Sequence, residues 1–228
     1  MSEVKRPQAG LVVAIDGHSG SGKSTLARCL AQSLGWAYLD SGAWYRALTW
    51  QALQQGLDLK EEKELLQLLS QTIITSQPDG TVLVNGHALL QELRTPLIDA
   101  SVSDVADHLK VREALTLQMQ RLPAQENVRG VVADGRDAGS MIFPQAALKV
   151  FVEVSLETRA KRRHAQNEAA GLSSGFTQIL QSLSQRDDRD AGRGASAPRA
   201  LPGAKVLKND SITVEQAIGC LLNWVKAL

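Results

Sequence analysis

The chain has 228 residues, of which 43% are hydrophobic and 21% charged, the composition of a globular protein with an apolar core. Its formal net charge of +1 excludes an overall field that would attract nucleic acid or an acidic membrane. The longest apolar stretches are only as long as a strand, and we recognise no signal peptide, so we expect one cytoplasmic domain over residues 1–228. We also expect a monomer that binds neither nucleic acid nor membrane. Cys29 and Cys220 lie in apolar-periodic stretches, which favours reduced core residues over a disulfide.

Strands and helices alternate along the chain after a short polar leader. The apolar run at residues 10–15 predicts a strand buried on both faces. The leucines of residues 23–34 then recur at helical spacing and are followed by Gly35, a typical helix end. Residues 36–39 predict a second short strand, and a helix should follow over residues 41–53.

Two segments depart from this alternation. Residues 81–86 alternate in polarity and end in Asn-Gly, after a Pro-Asp-Gly turn at 78–80, which indicates a hairpin. We therefore interpret the segment from about 65 to 110 as an inserted antiparallel subdomain. The segment from about 157 to 185 is polar and rich in arginine, with glycines at a break, and we interpret it as a lid.

The alternation resumes in the second half of the chain. A helix is predicted over residues 111–122, and three further strands are predicted at 131–133, 149–154 and 204–207. The closing helix should begin at Thr213 with a capping box and bury its apolar stripe, Val214, Ile218, Leu221 and Val225. Five strands that alternate with helices predict an α/β fold: a five-stranded parallel sheet flanked by helices, with the antiparallel insertion and the short lid.

A phosphate-binding loop is predicted between the first strand and the first helix. Residues 17–24 match G-x-x-x-x-G-K-[ST], in which glycines let successive N–H groups face phosphate oxygens at the start of a helix. Lys23 would bridge the β- and γ-phosphates of ATP, and the Ser24 hydroxyl would complete a Mg²⁺ shell. The loop candidates are Gly17, His18, Ser19, Gly20, Ser21, Gly22, Lys23, Ser24 and Thr25.

The alternative is a glycine turn that matches by chance, but the strand before it and the helix after it are the context that phosphate binding requires. A GTPase would read guanine with an Asn-Lys-x-Asp element, and the chain has no Asn-Lys pair. A motor or transporter ATPase is usually longer. A small-molecule kinase is the class that remains.

Two further segments contain residues that suit phosphate binding, independently of any resemblance. Ser41 stands at the start of a predicted helix, where its hydroxyl and the free N–H groups suit an anion, and Arg46 follows little more than one turn later. The alternative for this pair is a helix cap and a solvated arginine. Asp134 and Arg136 follow a buried strand at the sheet edge where ligands bind, so Asp134 would orient Mg²⁺ or its waters and Arg136 would face phosphate.

The chain resembles the bacterial cytidylate kinases, within the nucleoside-monophosphate kinases of the P-loop type, on three segments beyond the phosphate loop. These are Asp40-Ser-Gly-Ala-Trp-Tyr-Arg46, Ala133-Asp-Gly-Arg-Asp-Ala-Gly139, and Arg186-Asp-Asp-Arg-Asp190 with Arg193. Val111-Arg-Glu-Ala-Leu115, with Ser103 upstream, belongs to the same pattern. The resemblance extends from about Val12 to the closing helix.

The resemblance implies a set of substrate contacts. The segment Asp40 to Arg46, through Ser41 and Arg46, would hold the 5′-phosphate of the acceptor. Asp137 would accept a hydrogen bond from the N4 amino group of cytosine, whereas uracil has an acceptor there. Ser103 and Arg112 would cover O2 and N3 of the pyrimidine. Without the resemblance, a surface arginine on an amphipathic helix is the simpler interpretation of Arg112.

The same resemblance assigns the arginines at the transferring phosphate. Arg186 and Arg193 would meet the transferring and acceptor phosphates, and Asp190 a ribose hydroxyl. Lys23, Arg136, Arg186 and Arg193 are thus the expected catalytic set. Arg159, with Arg162 and Arg163, would lie in the lid over ATP, although a solvated helix face is the alternative for each of the three.

The implied reaction is MgATP + CMP → ADP + CDP, with dCMP as a further acceptor. An ionised phosphate oxygen attacks, so no general base is needed, and a lid and insertion that close together would exclude water. The rivals are a kinase for UMP, AMP or shikimate, and a nucleotide-dependent switch that hydrolyses ATP slowly. His18 departs from the usual proline of the family, from which we expect altered loop stiffness and no catalytic histidine.

Overall fold

The fold is seen in a computed structural model, which describes residues 10–125, 128–169, 171 and 175–228. The polar leader and four positions of the predicted lid segment, 170 and 172–174, lie outside the described residues. The elements are, in chain order, β1 (Leu11–Gly17), α1 (Lys23–Leu34), β2 (Ala37–Asp40), α2 (Ser41–Gln54), α3 (Glu62–Gln71), β3 (Ile74–Ser76), β4 (Val82–Val84), β5 (His87–Leu89), α4 (Pro96–Asp107), α5 (Leu109–Met119), β6 (Gly130–Gly135), β7 (Leu148–Glu153), α6 (Leu156–Ala169), α7 (Phe176–Ala191), β8 (Lys205–Lys208) and α8 (Val214–Lys226).

Five strands form the main sheet, in the order β2-β6-β1-β7-β8. β7 pairs in parallel with β1 on one side and with β8 on the other, so that Val150 lies opposite Ile15 and Val152 opposite Leu207. Residues 12–17 of β1 are buried without a break, as expected for a strand covered on both faces. The predicted five-stranded parallel sheet flanked by helices is therefore confirmed.

A separate three-stranded sheet contains β3, β4 and β5, paired antiparallel in that order. The turn between β4 and β5 consists of Asn85 and Gly86, both with positive φ (50° and 84°), which is the backbone that the Asn-Gly pair predicts for a hairpin. Gly80 is also required, because a Cβ there would come within 2.2 Å of the Tyr38 ring. The antiparallel sheet predicted from the 78–86 segment is confirmed.

The described residues divide into two compact units, one within 10–12 and 31–133, the other within 13–30 and 134–228. In the first unit, α2, α3, α4 and α5 pack around a core that includes Leu48, Leu65 and Leu115, none of which is measurably exposed. In the second unit, α6 packs on α7 through Ala160, Ile179 and Leu183. Within the described part of the chain, no helix is long and apolar enough to cross a bilayer.

Helix ends explain where the sequence-based boundaries hold and where they shift. α1 closes on Gly35 (φ 64°), whose N–H donates to Gln32 while that of Trp36 donates to Ala31, a Schellman motif. The predicted helix over 111–122 instead spans Leu109–Met119. It ends early because the residue before Pro123 disfavours α-helix, and Leu122 belongs to a short 3₁₀ turn. α3 was not predicted as a helix.

The closing helix begins as predicted, with the Thr213 hydroxyl accepting from the Gln216 N–H and the Gln216 side chain accepting from the Thr213 N–H. Its predicted buried stripe is partly wrong, because Val214 is 44% exposed and Ile218 only half-buried, while Ala217 is buried. Both cysteines lie in described segments and neither forms a disulfide, but they are not core residues: Cys29 is half-buried and Cys220 exposed.

Candidate active site

The predicted site residues divide between the two units. The first unit carries Asp40, Ser41, Arg46, Ser103 and Arg112. The second carries the phosphate loop and Asp134, Arg136, Asp137, Arg159, Arg186, Asp190 and Arg193.

The phosphate loop runs from the end of β1 to the start of α1, as the motif requires. Gly20 and Gly22 have positive φ (79° and 84°), a conformation that other residues rarely adopt. Gly17 is needed for a different reason, because a Cβ there would lie 2.8 Å from the carbonyl oxygen of Val152 in β7. The three glycines thus have distinct tasks, two in the turn and one in strand packing.

Lys23 lies over the loop that precedes it. Its Nζ donates to the carbonyl oxygen of His18 at 3.3 Å, and the N–H of Ser21 donates to the same oxygen at 3.3 Å. The lysine is 8% exposed, so its ammonium is held close to the loop backbone. An anion that enters the loop therefore meets both the positive end of α1 and this ammonium.

The side chains of Ser24 and Asp134 place a hydroxyl and a carboxylate oxygen next to each other. The Ser24 Oγ donates to Asp134 Oδ2 at 2.7 Å, and Asp134 is 1% exposed. Among the described residues, no three His, Cys, Asp or Glu side chains are grouped as a metal cage. Mg²⁺ is usually held by one or two carboxylates together with substrate phosphates and water, so a hydroxyl and a carboxylate beside a phosphate loop fit this ion.

Asp16 is a site residue that the sequence analysis missed. Its two carboxylate oxygens accept from the N–H groups of Ala138 and Gly139 at 2.7 and 2.8 Å, and the residue is 5% exposed. These N–H groups open the turn that follows Asp137. Burial raises the pKa of Asp16 to about 6, against the lowering effect of the two backbone hydrogen bonds. A signal was present, because an aspartate that ends a buried strand needs hydrogen-bond donors.

Asp190 and two arginines form a compact charge cluster. Asp190 is 1% exposed; its Oδ1 accepts from Arg193 at 2.5 Å, and its Oδ2 forms an ion pair with Arg136. Arg193 stands two residues beyond the end of α7, not on the helix itself as its spacing suggested. The structure thus joins three of the predicted residues at one point. Arg186 is half-buried on α7, and Asp137 is 5% exposed.

Arg159 supports the phosphate loop from α6. It is 3% exposed, and its guanidinium donates to the carbonyl of Ser19 at 3.2 Å and to both oxygens of Asp187 at 3.1 and 2.5 Å. The solvated-face alternative is therefore wrong for Arg159. Arg162 donates to the carbonyl of Asn209 at 2.5 Å, whereas Arg163 is exposed. Asp187 was not singled out in the sequence.

In the first unit, Asp40 and not Ser41 caps α2. Asp40 Oδ1 accepts from the N–H of Ala43 at 3.0 Å, and Ser41 is the first helical residue, 3% exposed. The alternative in which Ser41 is the cap is therefore corrected, because the longer carboxylate of Asp40 already satisfies the free N–H. Ser41 is thus placed with its own N–H in the positive first turn.

Arg46 is held by two acceptors of its own unit. It donates to the carbonyl of Leu93 at 3.0 Å and to Asp99 Oδ1 at 2.5 Å, and its side chain is 21% exposed. The solvated-arginine alternative is therefore wrong. Asp99 lies 53 residues further along the chain, so no local pattern marks the pair.

Arg112 is buried, which contradicts the surface-arginine interpretation. It is 7% exposed, donates to the carbonyl of Ala106 at 3.0 Å, and places its guanidinium carbon 5.5 Å from the centroid of the Tyr45 ring. Ser103 lies half-buried on α4. Burial of a guanidinium is costly unless its donors are used, and the Ala106 carbonyl takes up one of them.

A parallel α/β sheet with a glycine loop, a loop lysine and a serine–aspartate pair is the arrangement of a P-loop nucleotide-binding protein. The family model for cytidylate kinase matches residues 13–227. The chain therefore belongs to the cytidylate kinase family.

Individual relatives agree along nearly the whole chain. The cytidylate kinase of Shouchella clausii is 39% identical over 220 residues, which cover 95% of this chain and 96% of the relative. That of Polynucleobacter necessarius is 40% identical over 213 residues, 93% and 97% of the two chains. A crystal structure of an uncharacterised protein from Eubacterium ventriosum is similar with a TM-score of 0.54 and 16% identity, over 96% and 99% of the chains, and shows the fold alone.

Proposed function

We propose that the protein transfers the γ-phosphoryl group of ATP to CMP, forming ADP and CDP in pyrimidine nucleotide metabolism, and that it accepts dCMP as well. The observation that carries the proposal is the likeness over about the whole chain to proteins named cytidylate kinase, together with an intact phosphate loop. The kinase class and the acceptor identity rest on different residues.

The donor contacts lie in the second unit. The loop N–H groups would bind the phosphates of ATP, and Lys23 would exchange its contact with the His18 carbonyl for the β- and γ-phosphates. Ser24 and Asp134 would hold Mg²⁺, which when bound neutralises phosphate charge. Their mutual hydrogen bond supports this, because it already directs both oxygens to one point.

Charge stabilisation would come from the arginines. A guanidinium has five N–H donors, so Arg136 and Arg193 can keep their contact with Asp190 and still bind phosphate oxygens. Arg186 would join them from α7. Such fixed donors stabilise the charge of the transferring group without having to reorganise during the reaction. The acceptor is a phosphate oxygen, ionised near neutral pH, so the mechanism needs no general base.

The acceptor contacts fall on both sets of residues. Ser41 and Arg46 would bind the 5′-phosphate, with Asp40 fixing the start of α2 through its cap. Asp137 would accept from the cytosine amino group. Ser103 and Arg112 would read the other pyrimidine acceptors, and Asp190 a ribose hydroxyl.

An ADP-release assay tests the proposal most directly. Purified protein with ATP and Mg²⁺ is given CMP, dCMP, UMP, AMP or shikimate in turn, with an acceptor-free reaction and a Lys23→Met preparation as controls. We expect CMP and dCMP to give the highest kcat/KM and chelation of Mg²⁺ to stop turnover. Preference for another acceptor would refute the cytidylate assignment, and ADP release that no acceptor stimulates would refute the kinase.

We also propose that the protein is a cytoplasmic monomer that binds neither nucleic acid nor membrane. The net charge of +1 supports the expected lack of binding to nucleic acid and acidic membranes, since it offers no overall attraction to polyanions. Light scattering after gel filtration gives the oligomeric state directly, and a mass twice that of the chain would contradict the monomer.

A further inference from the structure

His18 of the phosphate loop contacts α7 through Asp187. The imidazole Nδ1 lies 3.2 Å from Asp187 Oδ1, with the two side chains 29% and 19% exposed. The edge of the imidazole also meets Phe151 of β7, with ring centroids 6.0 Å apart and planes at 84°. The histidine therefore packs between a strand and a helix, with part of its side chain exposed.

Asp187 reaches the same loop by a second route. Both of its oxygens accept from Arg159, and Arg159 donates in turn to the carbonyl of Ser19. A side chain of α7 is thus linked to two consecutive loop residues, to His18 directly and to Ser19 through Arg159. Burial alone would raise the pKa of Asp187, but the contacts with His18 and Arg159 outweigh it and lower the pKa, so the carboxylate stays ionised.

The position of His18 matters for the loop as a whole. Its carbonyl oxygen is the acceptor for the Lys23 ammonium and for the Ser21 N–H. A displacement of residue 18 would therefore displace the group on which the lysine rests. Because loop ordering before binding reduces the entropy lost on binding, a contact that fixes this residue favours nucleotide affinity.

We propose that His18 is a positioning residue for the phosphate loop, acting through Asp187, and that this contact couples donor-nucleotide affinity to α7. The inference rests on the proposed kinase function, which it deepens. It assigns the histidine a task that its packing on Phe151 does not require, since an apolar side chain could pack there equally well.

A rescue series separates this task from packing. In His18→Ala the contact is lost, whereas in His18→Asn the amide nitrogen stands near the position of Nδ1 and can donate to Asp187. We expect His18→Ala to raise the Kd for ADP and the KM for ATP roughly five- to tenfold, the effect of losing one ordinary polar contact. His18→Asn should stay within about threefold of wild type, and the KM for CMP should change less than twofold in both variants.

A double-mutant cycle tests the route through Asp187. In the Asp187→Asn background, His18→Ala should raise the Kd for ADP less than about twofold, because its partner is already altered. His87→Asn is the matched control, because this histidine is exposed on β5 of the first unit and is assigned no contact with the donor nucleotide. Its Kd for ADP should equal that of wild type.

The proposal is overturned if His18→Ala leaves the Kd for ADP unchanged, if His18→Asn is no better than His18→Ala, or if the effects of the two sites simply add. Should Asp187→Asn fail to fold, the rescue series alone decides. Calorimetry with ADP needs no acceptor, so the inference is tested even if wild-type protein fails to phosphorylate CMP. That failure would count against the proposed function and not against the role of His18.

Discussion

The hydroxyl of Ser24, in the first turn of α1, donates to the carboxylate of Asp134, near the end of β6, across 2.7 Å. The two residues are 110 positions apart in the chain: Ser24 is the second residue of α1, and Asp134 is the last but one of β6. An oxygen pair of this kind, next to the loop lysine, is the feature of the second unit best suited to a divalent ion.

Ser24→Ala should therefore weaken Mg²⁺ binding. Loss of the hydroxyl removes one oxygen ligand and the hydrogen bond that orients Asp134, so the Mg²⁺ concentration for half-maximal rate should rise about tenfold or more. Initial rates over a Mg²⁺ titration at fixed ATP measure this. Ser70→Ala, which removes an exposed hydroxyl of α3, is the control and should leave the titration unchanged. An unchanged titration in Ser24→Ala would contradict the assignment.

Lys23→Met should abolish most turnover while the protein stays folded. Methionine keeps much of the length and apolar stem of lysine but removes the charge at the phosphates. We expect kcat to fall about 10²- to 10³-fold, as for the loss of one preorganised donor, with a small change in the midpoint of thermal unfolding. A variant with near-normal turnover would disprove the role of the lysine.

Asp137→Asn should narrow the preference for CMP over UMP. The carboxylate can only accept from the cytosine amino group, whereas the amide can donate to O4 of uracil. The ratio of kcat/KM for the two acceptors should fall about tenfold, the discrimination expected of one base contact. If both values fall in the same proportion, the side chain does not read the base.

Arg46→Lys should weaken binding of the acceptor CMP and leave binding of the donor ATP nearly unchanged. The planar guanidinium of Arg46 donates to the Leu93 carbonyl and to Asp99 through two different nitrogens, a geometry that the ammonium of lysine cannot reproduce. We expect the KM for CMP to rise about tenfold, and the KM for ATP to change less than about twofold. An equal rise in both values would show that the variant disturbs the fold instead.

Asp16 should make stability depend on pH between about 4 and 6. Its pKa is 3.8 when unperturbed and about 6 in the folded protein, so the folded state binds more protons in this window. The free energy of unfolding contributed by this group is therefore greatest below pH 4 and falls by about 3 kcal/mol as the pH rises through 6, at about 1.4 kcal/mol per pKa unit.

The difference in unfolding free energy between wild type and Asp16→Asn isolates this contribution, because the other carboxylates titrate in both proteins. In urea unfolding at pH 4, 5, 6 and 7, the unfolding free energy of wild type should decrease relative to that of Asp16→Asn as the pH rises. A difference that is flat across these pH values would rule out the raised pKa.

Local patterns predicted the elements whose causes are local. The helix from Lys23 to Leu34 has its leucines on one face and glycine after its last turn, and the capping box at Thr213 is complete within four residues. The Asn85-Gly86 turn likewise needs only its own two residues. Neither α3 nor α4 was predicted as a helix within the insertion, although Leu65, Leu68 and Leu69 of α3 are spaced for one.

The site was predictable only where a motif names a residue. Asp16, Asp99 and Asp187 contact partners 122, 53 and 28 positions away. The buried strand around Asp16 indicates that its carboxylate needs donors, but the sequence does not identify the partner of any of the three. The two buried arginines, Arg112 and Arg159, were assigned a solvated alternative because charge usually means exposure. Backbone carbonyls accept from both guanidinium groups: that of Ala106, six residues before Arg112, and that of Ser19, 140 positions from Arg159, which spacing along the chain does not reveal.

The close approach of Gly17 to the carbonyl of Val152 bears on how an inactive form of this protein should be made. A methyl group at residue 17 would overlap a main-chain oxygen of the neighbouring strand, which cannot move without shifting the sheet. Gly17→Ala would consequently confuse misfolding with loss of ATP binding. For genetic or cellular experiments that need a folded but inactive protein, Lys23→Met is the better substitution.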